Sequence, residues 1–192
     1  MSLKEKNKKE DLRVVKTKEI IRNTFKSMIL EMDYDYITIK ELTERAKINR
    51  KTFYLHYDSL DDLLLEIQDG YANVFIEKQI SYTNIEDMKY LIGLFFDSAN
   101  NEPLNERILC SGSYRNISDR VVKKVMDYRK KTNRGAFSDN EAYENIIFAY
   151  YGANSAIIYR QWVADGKKLS LEEIKELAIK LVCNGLESIM KP

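Results

Sequence analysis

Side chains that start helices are crowded into one short stretch of the chain, and they constrain the fold more than any other feature. Thr-Ile-Lys-Glu at 38–41 is a capping box, in which the Thr38 hydroxyl accepts from the Glu41 N–H and the Glu41 carboxylate reaches back to the Thr38 N–H. Asn49 and the pair Asp58-Ser59 can cap two more helices. The spacing therefore predicts three helices joined by tight turns, over 39–47, 50–57 and 60–80.

An amphipathic helix is predicted before this stretch, over residues 13–32. Its apolar residues recur at the three- and four-residue spacing of one helix face. They are Ile21, Phe25, Met28, Ile29 and Met32. Residues 1–12 are rich in lysine and have no such pattern, so we expect a flexible basic arm there. This segment lacks the apolar core of a secretory signal.

The rest of the chain also predicts helices. Candidates cover 84–100, 103–109, 118–132 and 138–164, and a last helix opens at Ser170 with an apolar stripe that reaches Ile189. Two further capping boxes, Ser138 to Glu141 and Ser170 to Glu173, open the last two. No alternating run is long enough for a strand, and no apolar run is long enough to span a membrane. Cys110 and Cys183 match no metal-ligand or redox spacing, so we expect reduced thiols and no metal.

The helix predicted over 50–57 has two chemically different faces. At 100° per residue, Phe53 and Tyr57 lie on one arc, while Lys51, Thr52 and Leu55 lie on the opposite side. Tyr54 and His56 flank that outward face. Lysine can donate to guanine, a threonine hydroxyl can bond to either type of base, and leucine can contact a thymine methyl group. The outward face therefore suits the major groove of DNA, with Tyr54 and His56 donating to phosphates.

Residues 38–46 (Thr-Ile-Lys-Glu-Leu-Thr-Glu-Arg-Ala), 52–57 (Thr-Phe-Tyr-Leu-His-Tyr) and 63–64 (Leu-Leu) closely resemble the DNA-binding domain of the tetracycline repressor (TetR) family. The resemblance covers residues 13–66. It implies an all-α fold: a three-helix DNA-binding domain with a helix-turn-helix at 38–57, and a helical ligand-sensing and dimerisation domain over 67–192. It implies a DNA operator and no enzymatic activity. The family's DNA contacts carry over to Thr38, Arg50, Lys51, Thr52, Tyr54, Leu55 and His56.

The sequence departs from the family at three positions. Lys47 lies in the turn where glycine is frequent, Asn49 replaces a frequent serine, and Leu60 lies where many members have a phosphate-binding lysine. Lys47 can adopt the left-handed conformation at a cost of about 1 kcal/mol, or the turn can differ slightly from that of the family. The charge is uneven, with 14 Lys/Arg against 9 Asp/Glu up to residue 57 and 17 against 21 beyond it. This difference weakly favours a polyanion partner at the N-terminal end.

The last two helices are expected to form a homodimer interface. Apolar residues over 146–151 cover a wider part of the helix surface than packing against one core requires. Small residues in these helices permit close helix crossing. The predicted interface residues are Gly152, Ala156, Ala178, Leu181 and Gly185. A pocket for an unknown small-molecule effector is expected among Phe95, Phe96, Tyr114, Tyr128 and Tyr151, and the alternative is that these aromatic residues are core. Gly70, in the helix over 60–80, either permits bending that couples effector to DNA or allows close packing.

The sequence therefore predicts a cytoplasmic, ligand-responsive transcription repressor. An activator of the same fold and a helical interaction protein that has lost DNA binding remain alternatives. An enzyme in a helical bundle would need clustered carboxylates with Glu-x-x-His spacing, or a nucleophile with a base. The only histidine is His56, which lies in the predicted recognition helix. No cofactor is expected.

Overall fold

The computed structural model describes residues 3–77, 84–132 and 140–187. Side chains are described from residue 12 onward, except at 74–75, 115–118, 121–122, 129–130 and 186–187. Within these ranges the chain forms α-helices and two 3-10 turns, and no strand. The helices are α1 (Leu3–Glu31), α2 (Ile39–Arg45), α3 (Arg50–Tyr54), α4 (Leu60–Glu77), α5 (Ile85–Asn101), α6 (Pro103–Cys110), α7 (Arg115–Thr132), α8 (Glu141–Ala164) and α9 (Leu171–Glu187). The all-α prediction is confirmed.

The chain divides into two compact units, residues 1–67 and 68–192. The sequence had suggested a boundary between residues 66 and 67. Helix α4 begins in the first unit and continues into the second. No helix among the described residues is long and apolar enough to cross a membrane.

The first unit has a core built from one face of each of its helices. The apolar stripe of α1 supplies Ile21, Phe25, Met28 and Ile29, all fully buried. Leu42 of α2, Phe53 of α3 and Leu63 of α4 are also fully buried. A buried Leu or Phe side chain stabilises a fold by about 1.5–3 kcal/mol. Because α3 is only five residues long, this shared core fixes its orientation.

The second unit is a bundle in which α5 packs against α9, and α7 and α6 pack against α8. Its core includes an aromatic cluster in which the Tyr159 ring lies 5.3 Å from Phe96 and 5.5 Å from Trp162. Polar contacts surround this cluster. The Tyr159 hydroxyl donates to Glu106 (2.5 Å), and Lys167 pairs with the same carboxylate (2.6 Å).

Several helix starts are where the sequence predicts them. Asn84 accepts from the N–H of Asp87 at the start of α5, and Ser170 and Glu173 form a reciprocal capping box at α9. Helix α7 begins at Arg115, earlier than predicted. Helix α8 is capped by Asn140, whose Oδ1 accepts from the N–H of Ala142. The described part of α8 therefore begins at Glu141, later than predicted, and Ser138 of the predicted capping box lies outside the described residues.

Two predictions about the first unit are corrected. The arm predicted over residues 1–12 is helical from Leu3, because Lys and Glu have high helix propensity and neither glycine nor proline interrupts this stretch. Helix α3 ends at Tyr54 rather than Tyr57. The N–H of His56 donates to the Phe53 carbonyl, three residues back, so the last turn tightens.

Gly70 lies in α4 and is exposed. A methyl group at this position would meet no atom of the described residues within 4 Å. Among the helices that the structure describes, none therefore packs closely against Gly70, which contradicts that alternative.

Candidate nucleic-acid interface

Helix α2 is held at its start by Thr38. The Thr38 Oγ1 accepts from the N–H of Glu41 (3.2 Å), as the capping box predicts. The Glu41 carboxylate accepts from Arg45 (2.8 Å), four residues later, rather than closing the box on Thr38. Arg45 also pairs with Glu31 of α1 (2.5 Å). Arg45 is thus neutralised by two carboxylates and ties α2 to α1.

The turn between α2 and α3 is a Schellman motif. The N–H of Ile48 donates to the Thr43 carbonyl (3.0 Å), and the N–H of Lys47 donates to the Glu44 carbonyl (3.2 Å). Lys47 has φ 53°, so the left-handed conformation is the one of the two expectations that the structure shows. This turn gives the two short helices the sharp crossing of a helix-turn-helix.

Helix α3 starts at Asn49. Its Oδ1 accepts from the backbone N–H of Thr52 (2.8 Å) and from the Thr52 hydroxyl (3.0 Å). The predicted cap is therefore confirmed, with an additional side-chain contact that the sequence did not reveal. The start of α4 is capped similarly, because the Ser59 Oγ accepts from the N–H of Asp62 (3.1 Å).

The two faces of α3 are separated as the helical geometry predicts. Phe53 is fully buried and Tyr57, just beyond the helix, is 4% exposed. Leu55 is 79% exposed and Tyr54 is 53% exposed. Among the other predicted DNA contacts, Thr38, Arg50 and Lys51 are exposed, and Thr52 and His56 are half-buried. The N–H of Leu55 donates to the Lys51 carbonyl (3.1 Å), so these two residues lie one turn apart on the same face.

The exposed surface of α2 and α3 carries more positive charge than the predicted contacts alone. Lys40 in α2 and Lys47 in the turn are exposed, in addition to Arg50 and Lys51. Sequence reasoning did not include Lys40 and Lys47 among the DNA contacts. The signal available for them was their position on either side of the helix-turn-helix, since lysine and arginine supply most contacts to phosphates.

An ion-pair cluster of α1 and α4 lies beside Tyr57, just beyond the end of α3. Glu66 of α4 accepts from Lys18 and Arg22 of α1, at 2.7 Å each. Burial alone would raise the pKa of Glu66, but the hydrogen bonds from Lys18 and Arg22 outweigh it and lower the pKa below its usual value. Burial and the nearby Glu66 raise the pKa of Tyr57, so its hydroxyl stays neutral. The Lys18 ammonium lies 5.0 Å from the centre of the Tyr57 ring.

The predicted interface residues of the second unit differ in their exposure to solvent. Leu181 and Gly185 are exposed. Gly152, Ala156 and Ala178 are buried within the chain, so their burial does not favour them as contacts with a partner. The apolar stripe of α9 divides in the same way, since Ile174 and Val182 are buried while Leu177 and Leu181 are exposed.

Helix α8 has a second apolar stripe, which faces outward. Its residues follow helical spacing and are Tyr143, Ile146, Tyr150 and Ile157, all between 41% and 66% exposed. The Tyr150 hydroxyl donates to the Leu181 carbonyl of α9 (3.5 Å). The outward stripes of α8 and α9 therefore lie side by side. The sequence contained this signal, because at 100° per residue these residues lie on a different face of α8 from the buried ones.

The predicted pocket residues lie in or near the core of the second unit. Phe96, Tyr114 and Tyr151 are buried, and Phe95 and Tyr128 are half-buried. A groove of about 560 Å³ lies between α7 and α8, and none of the five lines it. Its walls are Asp119, Lys123, Met126, Asp127, Asn145, Phe148, Ala149, Gly152, Ala153, Ala156, Ile157 and Arg160. An effector pocket at the five aromatic residues stays a prediction.

No three His, Cys, Asp or Glu residues of the described ranges cluster to hold a metal ion. Cys110 is half-buried and Cys183 is buried. Burial and the neighbouring Glu106 raise the pKa of Cys110 to about 11.

No protein-family model matches this sequence. It is 42% identical over 62 residues to an uncharacterised HTH-type transcriptional regulator, YxbF, of Bacillus subtilis (strain 168). That match spans 32% of this chain and 16% of the relative. It is 24% identical over 175 residues to the HTH-type dhaKLM operon transcriptional activator DhaS of Lactococcus lactis subsp. lactis (strain IL1403), spanning 86% of this chain and 88% of DhaS.

The structure is similar to that of a TetR transcriptional regulator from Streptococcus agalactiae, with a TM-score of 0.70 and 21% identity. The alignment covers 90% of this chain and 97% of that structure. The fold is therefore that of the helix-turn-helix transcriptional regulators. Within that class, the chain has the TetR-family fold, which confirms the resemblance seen in residues 13–66.

Proposed function

We propose that this chain is a sequence-specific, DNA-binding transcription regulator that acts as a homodimer in the cytoplasm. The observation that carries the proposal is the separation, along α3 and the turn that follows it, of a buried aromatic face from an exposed face with Lys51 and Leu55. A helix whose inward face is anchored in a core can present its outward side chains at fixed positions. The major groove admits one α-helix, so α3 is the helix that contacts the base edges in this proposal.

The exposed side chains sort into base contacts and phosphate contacts. Lys51 can donate to guanine O6 or N7, and Leu55 can contact a thymine methyl group. Arg50, Tyr54 and His56 lie beside them and can donate to phosphates on either side. The Thr38 hydroxyl can do the same from the start of α2. This arrangement disfavours an interaction protein that has lost DNA binding, because such a protein has no need for a basic, polar outward face on α3.

The outward stripes of α8 and α9 support the homodimer. They expose aliphatic and aromatic side chains from two adjacent helices, and contiguous apolar patches of this kind mark association surfaces. A two-fold dimer places two recognition helices about 34–36 Å apart, for successive major grooves on one face of the duplex.

The DNA part of the proposal is tested by selecting binders from a pool of random duplexes. We expect an inverted repeat whose half-site centres are about 10–10.5 base pairs apart. Recovery of sequences with no common motif would contradict it.

The dimer is tested by light scattering of Leu181→Glu, which should shift the chain to a monomer at micromolar concentration. Leu12→Glu changes an equally exposed leucine of α1 and should remain dimeric.

We propose repression as the sign of regulation, since a dimer seated on an operator blocks transcription by occupancy. Activation is a second candidate, which the likeness to the activator DhaS over most of the chain favours. Removal of the gene separates the two. Transcription from a promoter that carries the selected site rises if the protein represses and falls if it activates.

The proposal includes a small-molecule effector and no catalytic step. The groove between α7 and α8 has the volume of small-molecule sites, which is about 300–1,000 Å³. Thermal-shift screening against a metabolite library tests for an effector. Ala153→Phe should abolish a shift that arises in this groove, because Ala153 is an exposed wall residue. A shift that persists in this variant would place the effector elsewhere.

A further inference from the structure

The contact between Asn49 and Thr52 fixes the hydrogen-bonding polarity of the Thr52 hydroxyl. A backbone N–H can only donate, so the Asn49 atom that faces the N–H of Thr52 must be the amide oxygen. The same oxygen lies 3.0 Å from the Thr52 Oγ1. Because a carbonyl oxygen carries no hydrogen, the Thr52 hydroxyl must donate to it. The one proton of the hydroxyl is then committed, and the Oγ1 can only accept from a further partner.

Thr52 lies on the face proposed to contact DNA, so a hydroxyl that can only accept limits which base groups it can bind. It follows the exposed Lys51 directly and is itself half-buried, so part of its side chain reaches solvent. A free threonine hydroxyl suits donor and acceptor groups of the bases equally. With its proton held by Asn49, the hydroxyl no longer suits the guanine O6 and N7 or the thymine O4, which are acceptors.

We propose that Thr52 is a specificity-determining residue that reads an exocyclic amine in the major groove, either adenine N6 or cytosine N4. The inference rests on the proposed function and adds the polarity of one contact to it. Three neighbouring side chains then have three separate preferences. Lys51 donates to an acceptor group of a base, Thr52 accepts from a donor group, and Leu55 contacts a methyl group.

Asn49 acts here as a positioning residue, and two substitutions separate its two roles. Asn49→Asp keeps an oxygen that accepts from both Thr52 groups. Asn49→Gly removes that oxygen, and glycine is still a tolerated residue at the start of a helix. In Asn49→Gly the Thr52 hydroxyl is released and can donate as well as accept.

The experiment uses the full chain and duplexes chosen from the random pool. In each half-site, adenine is replaced by 2-aminopurine, which moves the amine to the minor groove, and cytosine by 2-pyrimidinone, which lacks it. At the one position that Thr52 contacts, this replacement should lower the affinity of wild type and of Thr52→Ser about three- to tenfold, which corresponds to one hydrogen bond. Thr52→Val should bind the natural and altered duplexes alike at that position.

The Asn49 variants test the polarity itself. At the Thr52-dependent position, wild type and Asn49→Asp should discriminate against guanine in place of adenine, or against thymine in place of cytosine. Asn49→Gly should lose most of this discrimination while retaining sequence-specific binding elsewhere in the site. Circular dichroism of each variant confirms that it is folded.

Two results would overturn the inference while leaving the proposed function intact. One is a Thr52-dependent position at which wild type prefers guanine or thymine. The other is sequence-specific binding in which no amine replacement distinguishes wild type from Thr52→Val. Absence of any sequence preference in the selection would instead remove the proposed function itself.

Discussion

Phe53 and Leu55 are two residues apart, yet Phe53 is fully buried and Leu55 is 79% exposed. The end of the short helix α3 thus separates a residue that holds the first unit together from one, just beyond the helix, that is available to a partner. Phe53→Ala should destabilise the first unit by about 3–5 kcal/mol, through lost burial and the cavity that remains. Leu55→Ala should change the melting temperature little but weaken binding to the selected duplex. Thermal denaturation and DNA titration of the two variants check this contrast, and equal effects on stability would contradict it.

The turn between α2 and α3 holds a lysine in a conformation that favours glycine. Lys47→Gly should therefore stabilise the first unit by about 1 kcal/mol. Lys40→Gly makes the same change inside α2 and should destabilise it by about 0.5–1 kcal/mol. Urea denaturation measures both. A loss of stability in Lys47→Gly would show that the lysine side chain contributes more than its backbone conformation costs.

The Glu66 cluster makes stability depend on pH. The pKa of Glu66 in the folded state lies below its ordinary value of 4.5. Its contribution is therefore fully present above that value and is lost as the pH falls through the folded pKa. Glu66→Gln should cost about 1 kcal/mol at pH 7, as for partly exposed ion pairs, and the cost should shrink towards pH 3. Denaturation of both proteins between pH 3 and 7 measures the difference, which would be constant if the ion pairs contributed nothing.

Gly70 is exposed in α4, with room for a methyl group. Gly70→Ala should raise the free energy of unfolding by about 1 kcal/mol, because glycine weakens a helix interior by that amount. If α4 must bend for an effector to act, the same variant should also reduce the ratio of DNA affinities without and with effector. A lower melting temperature would contradict the first expectation, and an unchanged ratio would remove the second.

The parts of the fold that the sequence predicts are those that depend on local chemistry. The caps at Thr38, Asn49 and Ser170 need only a side-chain oxygen and an N–H three residues later. The faces of α3 follow from 100° per residue. Asn140 was missed as the cap of α8 because Ser138 offers the same local signal two residues earlier. The choice between them depends on the packing of the whole helix.

The surfaces of the second unit could not be read in the same way. An apolar stripe shows that a face is covered, but not whether this chain or a partner covers it. Ala178 and Leu181 belong to one stripe of α9, yet the first is fully buried and the second is 56% exposed. The groove between α7 and α8 arises from how two helices pack, and no local pattern marks its walls. The Thr52 contact was also missed, since the sequence alone does not show which Thr52 groups face Asn49.

The most direct test of DNA reading by α3 is the binding of Lys51→Ala to a selected duplex and to a scrambled one, measured by fluorescence anisotropy. Lys168→Ala, which removes an exposed lysine from the second unit, is the matched control. If Lys51 reads a base edge, its removal weakens binding to the selected duplex by about 1–3 kcal/mol and lowers the preference over the scrambled duplex. The control should leave both affinities unchanged. Equal affinities of wild type and Lys51→Ala for the selected duplex would contradict the assignment of α3 as the recognition helix.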